Sequence, residues 1–341
     1  MQSFKQRRLA WLSVILAFGV VVAACGSDDD DAGADTGSGE DSGGASGSIN
    51  VSGSSTVEPI SSLAAEAFMG ESDGVEIAVD GPGTGDGFEL FCDGETEISD
   101  ASRAIKDEEA TTCEENGVTY VELQVAYDGM AVMTSVDNDQ VECLSFADLY
   151  ALTGPEAEGI GTWADAATVA GELGSTTELP DADLELTGPG TESGTYDSFI
   201  EIALEGYAEE RGQEATTRTD YASSADDNTI IANIEASPTS LGWVGFAFAE
   251  EAGDTVRDLA ISEEPGGECV EPSAETISDG SYPLARPLFI YVNTAKAEEN
   301  AALAEFVDFY LENLTEFVEE GGYVTMPDDQ VEATTTAWSE R

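Results

Sequence analysis

Four short stretches combine glycine with hydroxyl side chains: Gly53-Ser54-Ser55-Thr56, Gly83-Thr84-Gly85, Ala101-Ser102-Arg103 and Ser193-Gly194-Thr195. The last lies inside the run GPGTESGTYDSF, residues 188–199. Each precedes a segment with helical character. A helix start leaves backbone N–H groups unpaired and carries a partial positive charge, and glycine lets an oxyanion approach them. Serine and threonine hydroxyls add donors, and a donor facing a charged acceptor makes the stronger kind of hydrogen bond. Arg103 offers a fork-shaped cationic contact. One such stretch alone reads as a helix cap or a turn. Four together read as a cradle for a small tetrahedral oxyanion. No GxxxxGK[ST] occurs, so the cradle is not a nucleotide P-loop.

Composition narrows the chemistry further. The 341 residues include no histidine, which removes Ser-His-Asp and Cys-His sites and HExxH metal sites. Beyond the first residues the only lysines are Lys106 and Lys296, so a Ser-Lys hydrolase is poorly supplied. We therefore expect no enzyme, no catalytic residue, no metal site and no cofactor. Acids number 71 against 11 basic residues, a net charge of −60. That sign disfavours nucleic acid and anionic membrane surfaces as partners. Self-repulsion on this scale costs stability unless salt screens it, and the Debye length falls from about 10 Å at 0.1 M to about 3 Å at 1 M. The acidity points to halophilic adaptation. A hydrophobic content of 41% keeps the chain in the globular class.

The N-terminus is an address rather than a fold. Lys5, Arg7 and Arg8 precede an apolar stretch over 9–22, and Val22-Ala23-Ala24-Cys25 follows. The ending resembles a bacterial lipobox, which implies a signal peptide over 1–24 and lipidation of Cys25 at the outer face of the cytoplasmic membrane. Removing 1–24 leaves 71 acidic and 8 basic residues, a net of −63. Residues 25–47 read as an acidic flexible tether. Its Asp run lacks the glycine spacing and distal glutamate of a calcium loop. Four cysteines remain, and an even number in an exported chain argues for two disulfides with three possible connectivities. Cys92 and Cys113 flank one segment, which favours a local Cys92–Cys113 bridge and leaves Cys143–Cys269.

The elements that must position the loops alternate. A strand over 49–52 leads to a helix with Ile60, Leu63, Ala64, Ala67 and Phe68 on its apolar face. A strand over 75–79 leads through glycines to a helix from about 86. TEISDASRAIKDEEATTCEENG gives a third strand, a Ser-Arg turn and a polar helix. TYVELQVAYDGMAVMTS is a run of strand-prone segments, and LSFADLYALTG is a helix. The 188–199 loop opens a helix burying Phe199, Ile202, Ala203 and Tyr207. LGWVGFAFAEEAG and RPLFIYVN supply buried strands, and residues 300–322 read as one long amphipathic helix. The pattern predicts an α/β fold with mostly parallel sheets, its ligand outside the strands' carboxyl ends.

Seven segments in order, VSGSSTVEPI, DGPGTGDGF, EISDASRAIKDEEA, GPGTESGTYDSF, YASSADDNTIIANI, LGWVGFAFAEE and YPLARPLFIYVN, resemble signatures of the PstS family, most nearly its SphX-like branch. Those are substrate-binding subunits of phosphate ABC transporters. The resemblance runs from about Ser48 to about Tyr323. It implies a type II periplasmic-binding-protein fold, two α/β lobes joined by two crossover strands with the ligand in the cleft. Lobe one would be 48–128 plus 286–341 and lobe two 129–285, with hinges near 126–130 and 286–289. Position by position it implies phosphate contacts from Ser55, Thr56, the Val57 amide, Thr84, Ser102, Arg103, Ser193, Gly194 and Thr195. The family's proton-accepting carboxylate aligns with Ser102, next to Arg103, and its basic residue before the SGT loop aligns near Pro189. The acceptor that distinguishes monohydrogen phosphate from sulfate must then lie elsewhere, with Asp226 ranked ahead of Asp86 and Asp100. The implied partner is an ABC permease, the implied state a monomer, and the other ligand reading is sulfate or molybdate.

Overall fold

Along strand β1 (Gly47–Gly53) Ile49 and Val51 are buried while Ser48 and Asn50 are exposed, the two-residue alternation of a half-buried strand. From Val51 onward every residue is buried, because the strand runs beneath the loops that follow. A computed structural model of the chain describes residues 46–191 and 193–341. The signal peptide, Cys25 and nearly all of the tether lie outside the described residues. β1 begins one residue before the expected start of the fold.

β1 pairs in parallel with β2 (Val75–Asp80) and with β3 (Ile98–Ala101). Helix α1 (Glu58–Glu71) connects the first pair, and helices α2 (Thr84–Cys92) and α3 (Asp107–Glu115) follow β2 and β3. Strand β4 (Tyr120–Ser135) is 16 residues long and serves two neighbourhoods. Its first part pairs antiparallel with β11 (Ala285–Asn293), and its last part with β8 (Ser240–Gly245) and β9 (Val256–Asp258). β6 (Glu185–Gly188) lies parallel between β8 and the short β7 (Ala222–Ser223). The sheet order is β2-β1-β3-β11-β4-β8-β6-β7, and β5 (Cys143–Ser145) with β10 (Ala260–Ser262) forms a separate parallel pair.

This is the type II periplasmic-binding-protein arrangement, with β4 and β11 as the crossover strands. The expectation of mostly parallel sheets needs correcting. Pairing is parallel in the wings, whereas the middle of the sheet, β3-β11-β4-β8, is antiparallel because the two crossover strands run against each other and against their neighbours. A second correction concerns the C-terminus. The long helix is two, Ala301–Glu312 and Leu314–Glu320, broken at Asn313. The Asn313 side chain donates to the Phe309 carbonyl at 2.9 Å, competing with the helix ladder. The inward residues are as expected: Leu303, Phe306, Val307, Tyr310, Leu314 and Phe317 are all buried, and Phe68 of α1 meets Phe306 and Phe309 at 5.5 and 5.4 Å. Both disulfides, Cys92–Cys113 and Cys143–Cys269, are formed.

Candidate functional site

The first loop turns tightly at the end of β1. Gly53 has φ +153°, and a Cβ there would lie 2.0 Å from the Asp100 carbonyl oxygen, so only glycine fits between β1 and β3. A Cβ on Gly87 would lie 2.4 Å from the Gly53 Cα, which lets α2 rest directly on the same turn. Two backbone bonds tie the loops together, Ser54 N–H to the Asp100 carbonyl at 2.9 Å and Gly83 N–H to the Gly53 carbonyl at 2.8 Å. Thr84 Oγ1 then meets Ser102 Oγ at 3.0 Å and accepts the Ser102 N–H at 3.2 Å. Three of the four loops are thus one bonded unit at the carboxyl ends of β1, β2 and β3.

The fourth loop faces them. Ser193 caps the helix Gly194–Phe199, its hydroxyl accepting the Thr195 N–H at 3.2 Å. A Cβ on Gly194 would lie 3.5 Å from the Thr56 Cα, an ordinary contact distance, which places the two loops side by side. Contacts continue along the helix. Ser55 Oγ donates to Asp197 Oδ2 at 3.1 Å, and Thr56 Oγ1 lies 3.3 Å from Ser198 Oγ. Beneath them Arg286 donates to Ser198 Oγ at 2.7 Å and to Thr56 Oγ1 at 3.2 Å, and pairs with Glu201. Ser198 Oγ in turn donates to the buried Asp128 at 2.6 Å, whose Oδ2 is 3.6 Å from Arg286 Nε. Burial pushes the Asp128 carboxyl above its ordinary range, with Arg286 and the Ser198 hydroxyl opposing.

Beside this junction opens a cleft of about 700 Å³ lined by Thr84, Ser102, Asp86, Arg103, Lys106 and Arg286, among others. Three of the eight basic residues beyond position 24 therefore line one cleft, beside the carboxylates of Asp86, Glu201 and Glu205. A larger groove of about 870 Å³ elsewhere is lined by Glu263, Glu264, Glu268 and Glu271 with no cation, which is the wrong sign for an anion. Among the described residues no group of three or more His, Cys, Asp or Glu is arranged to hold a metal ion.

Several site expectations change in this geometry. The Val57 N–H donates to the Ser54 carbonyl at 3.1 Å, so that amide already has a partner within the turn. The Arg103 fork grips both oxygens of Glu109, at 2.7 and 2.8 Å, and stacks 5.5 Å from the Phe88 ring. Arg103 therefore reaches the cleft already paired. Asp226 is an exposed helix N-cap that accepts the Asn228 N–H at 3.0 Å. Asp100 is fully buried under the first loop, bonded to the Ser61 hydroxyl at 2.9 Å, and does not face the cleft. Of the three proposed acceptors only Asp86 lines it. Sequence reasoning missed Arg286 as a contact, and missed Asp128, Asp197 and Ser198 altogether. One signal was available: Arg286 is among very few cations in the chain and lies in RPLFIYV, assigned only as hinge.

A family model described as PBP superfamily domain matches residues 38–313. Protein SphX of Synechocystis sp. is 40% identical over 279 residues, 81% of this chain and 77% of the relative. Phosphate-binding protein PstS of Staphylococcus epidermidis is 33% identical over 315 residues, 92% of this chain and 88% of the relative. Among solved structures, a possible phosphate binding protein from Planctomyces limnophilus superposes with a TM-score of 0.79 at 35% identity, covering 87% of this chain and 99% of its own.

Proposed function

The chain belongs to the PstS family of phosphate-binding proteins, alongside SphX, and on that premise we propose that it is an extracytoplasmic receptor for inorganic phosphate. The observation that carries the reading is the concentration of Arg103, Lys106 and Arg286, with the hydroxyls of Thr84 and Ser102, in one cleft of a chain with net charge −60. Phosphate would rest between the first three loops and the Ser193-Gly194-Thr195 loop. Ser55, Thr56, Thr84, Ser102, Ser193 and Thr195 would supply hydroxyls, and the Gly194 amide an N–H. Arg286 would be the principal cation, standing in for the basic residue that the family places near Pro189. No step of covalent chemistry is called for. The lobes would be 48–128 with 286–341 and 129–285, hinged where β4 and β11 cross. A lipid on Cys25 would hold the receptor near an ABC permease, to which it would deliver phosphate as a monomer.

Thermal unfolding with millimolar phosphate tests this. A ligand at a hundredfold over its Kd adds about 2.7 kcal/mol of stability. Phosphate should raise the Tm of the protein, and Arg286→Ala should lose most of that rise. Loss of a charged hydrogen-bonding partner costs about 1.5–3 kcal/mol, roughly a ten- to hundredfold weakening. The variant should also melt earlier without ligand, because it leaves Asp128 buried without its cation. No shift with phosphate in the unmodified protein would end the receptor reading.

A further inference from the structure

We propose that Glu201 is a tethered anion that holds Arg286 against monovalent anions and gives way to a dianion. The proposal rests on the receptor reading above and concerns the state of its cleft before loading. The Arg286 guanidinium is engaged on every side. Its Nη2 donates to Ser198 Oγ at 2.7 Å and to Thr56 Oγ1 at 3.2 Å, its Nε lies 3.6 Å from Asp128 Oδ2, and its Nη1 pairs with Glu201. Thr56, Ser198 and Asp128 are buried fixtures. Glu201 is the exception: its side chain is 50% exposed, and it lines the cleft together with Arg286. The part of the guanidinium that an entering anion can reach is therefore the part that Glu201 already holds. Among the described residues Arg286 is also the one hydrogen-bond partner of the Glu201 carboxylate, so nothing else keeps that carboxylate in place.

The backbone under Glu201 is irregular. Between the helices Gly194–Phe199 and Glu205–Arg211 the chain makes a π-helical turn, Ile200–Leu204, in which the Glu205 N–H reaches back to the Ile200 carbonyl. Such turns are rare and recur at functional sites. This one carries Glu201 to the cleft wall. The contest for Arg286 is then decided by charge. A chloride that displaced Glu201 would exchange one single negative charge for another and leave a carboxylate unpaired. Phosphate as the dianion brings twice the charge and several oxygens, with the Thr84 and Ser102 hydroxyls lining the same cleft to receive them. The device discriminates by opposing the wrong ligand, not by adding a contact to the right one. When phosphate leaves, Glu201 returns to Arg286.

The experiment measures the phosphate Kd by calorimetry at pH 8, in sodium chloride and in sodium gluconate of the same ionic strength, on wild type, Glu201→Gln and Glu205→Gln. Gluconate is too bulky to sit on one guanidinium. Wild type should bind phosphate equally in the two salts. An exposed ion pair shifts an equilibrium by up to about fivefold, so in gluconate Glu201→Gln should bind phosphate about three- to fivefold tighter than wild type, and chloride should weaken it by about as much. Glu205 lines the cleft and has no ion pair among the described residues. Glu205→Gln removes the same charge without freeing Arg286, and should stay indifferent to the choice of salt. Glu201→Ala serves if the glutamine amide makes its own bond to Arg286. No gain or a loss of phosphate affinity in both Glu201 variants would make Glu201 a support for Arg286 and overturn the proposal. So would a chloride effect that is absent from both, or equally large in wild type or Glu205→Gln. A wild type that binds no phosphate in either salt would overturn the receptor reading instead.

Discussion

Asp100 illustrates what a single buried group can impose on a binding loop. Its carbonyl anchors the Ser54 N–H while its carboxyl, bonded through Oδ1 to Ser61, has no hydrogen-bond partner for Oδ2 among the described residues. Burial raises its pKa to about 7, with the Ser61 hydrogen bond opposing and Glu58 and Asp80 adding to the rise. A folded pKa above the ordinary carboxylate value means that the native state holds the proton more tightly than the unfolded chain. The associated stability is fully present below about pH 4 and is lost as pH rises through about 7. Asp100→Asn keeps the shape and the acceptor for Ser61 without the ionisation. It should be more stable than wild type at pH 8, by up to ~4 kcal/mol, with the difference vanishing near pH 4. Urea unfolding of both proteins at the two pH values checks this, and a difference independent of pH would refute it. At this scale the hydroxyl loops were legible only as a set, since each alone reads as a cap or a turn, and three of them do bond to one another. Arg286 and Asp128 were not, because they meet only as register partners across β11 and β4. Sequence distance hides such a pair. Asp197 and Ser198 escaped for a related reason, since their partners Ser55 and Thr56 lie on a different element.

At the scale of elements, strands and helices were read well where one periodicity prevailed, as in α1 and β11. The errors fall where context decides. The 16-residue β4 looks like several strands because it changes partners midway. The C-terminal helices look continuous because Asn313 interrupts the backbone without breaking the apolar stripe. The two disulfides brace different things. Cys92–Cys113 ties α2 to α3 across 21 residues, and Cys143–Cys269 closes a span of 126. On the chain-entropy account the longer span restricts the unfolded ensemble more, by roughly 1.5 kcal/mol. Replacing Cys143 and Cys269 by serine should therefore lower the Tm further than replacing Cys92 and Cys113. Equal shifts in calorimetry would point to local packing, not loop closure, as the source of both contributions.

The whole molecule reconciles a large negative charge with an anion cleft by separating ranges. On the proposed reading the attraction would be local, from Arg286, hydroxyls and loop amides, whereas most of the 71 acids would act through solvent and be screened by salt. Raising NaCl from 0.1 M to 2 M should increase the Tm, while phosphate affinity falls no more than a few-fold or rises. A steep loss of affinity with salt would mean that long-range charge, not the local cradle, does the binding.

The ladder between β4 and β11 carries a consequence for biosynthesis. Gly129 and Ala285 face each other across one rung, so the whole intervening segment is an insertion between neighbouring strands. A chain emerging from its N-terminus presents β1, β2 and β3 early, yet β3 lacks its neighbour β11 until residue 285 has appeared. The inserted half has all its strands once Ser262 is out. Maturation therefore runs against the order of synthesis: the later half can consolidate first, and the first half, with the cleft between them, is completed only by the returning strand.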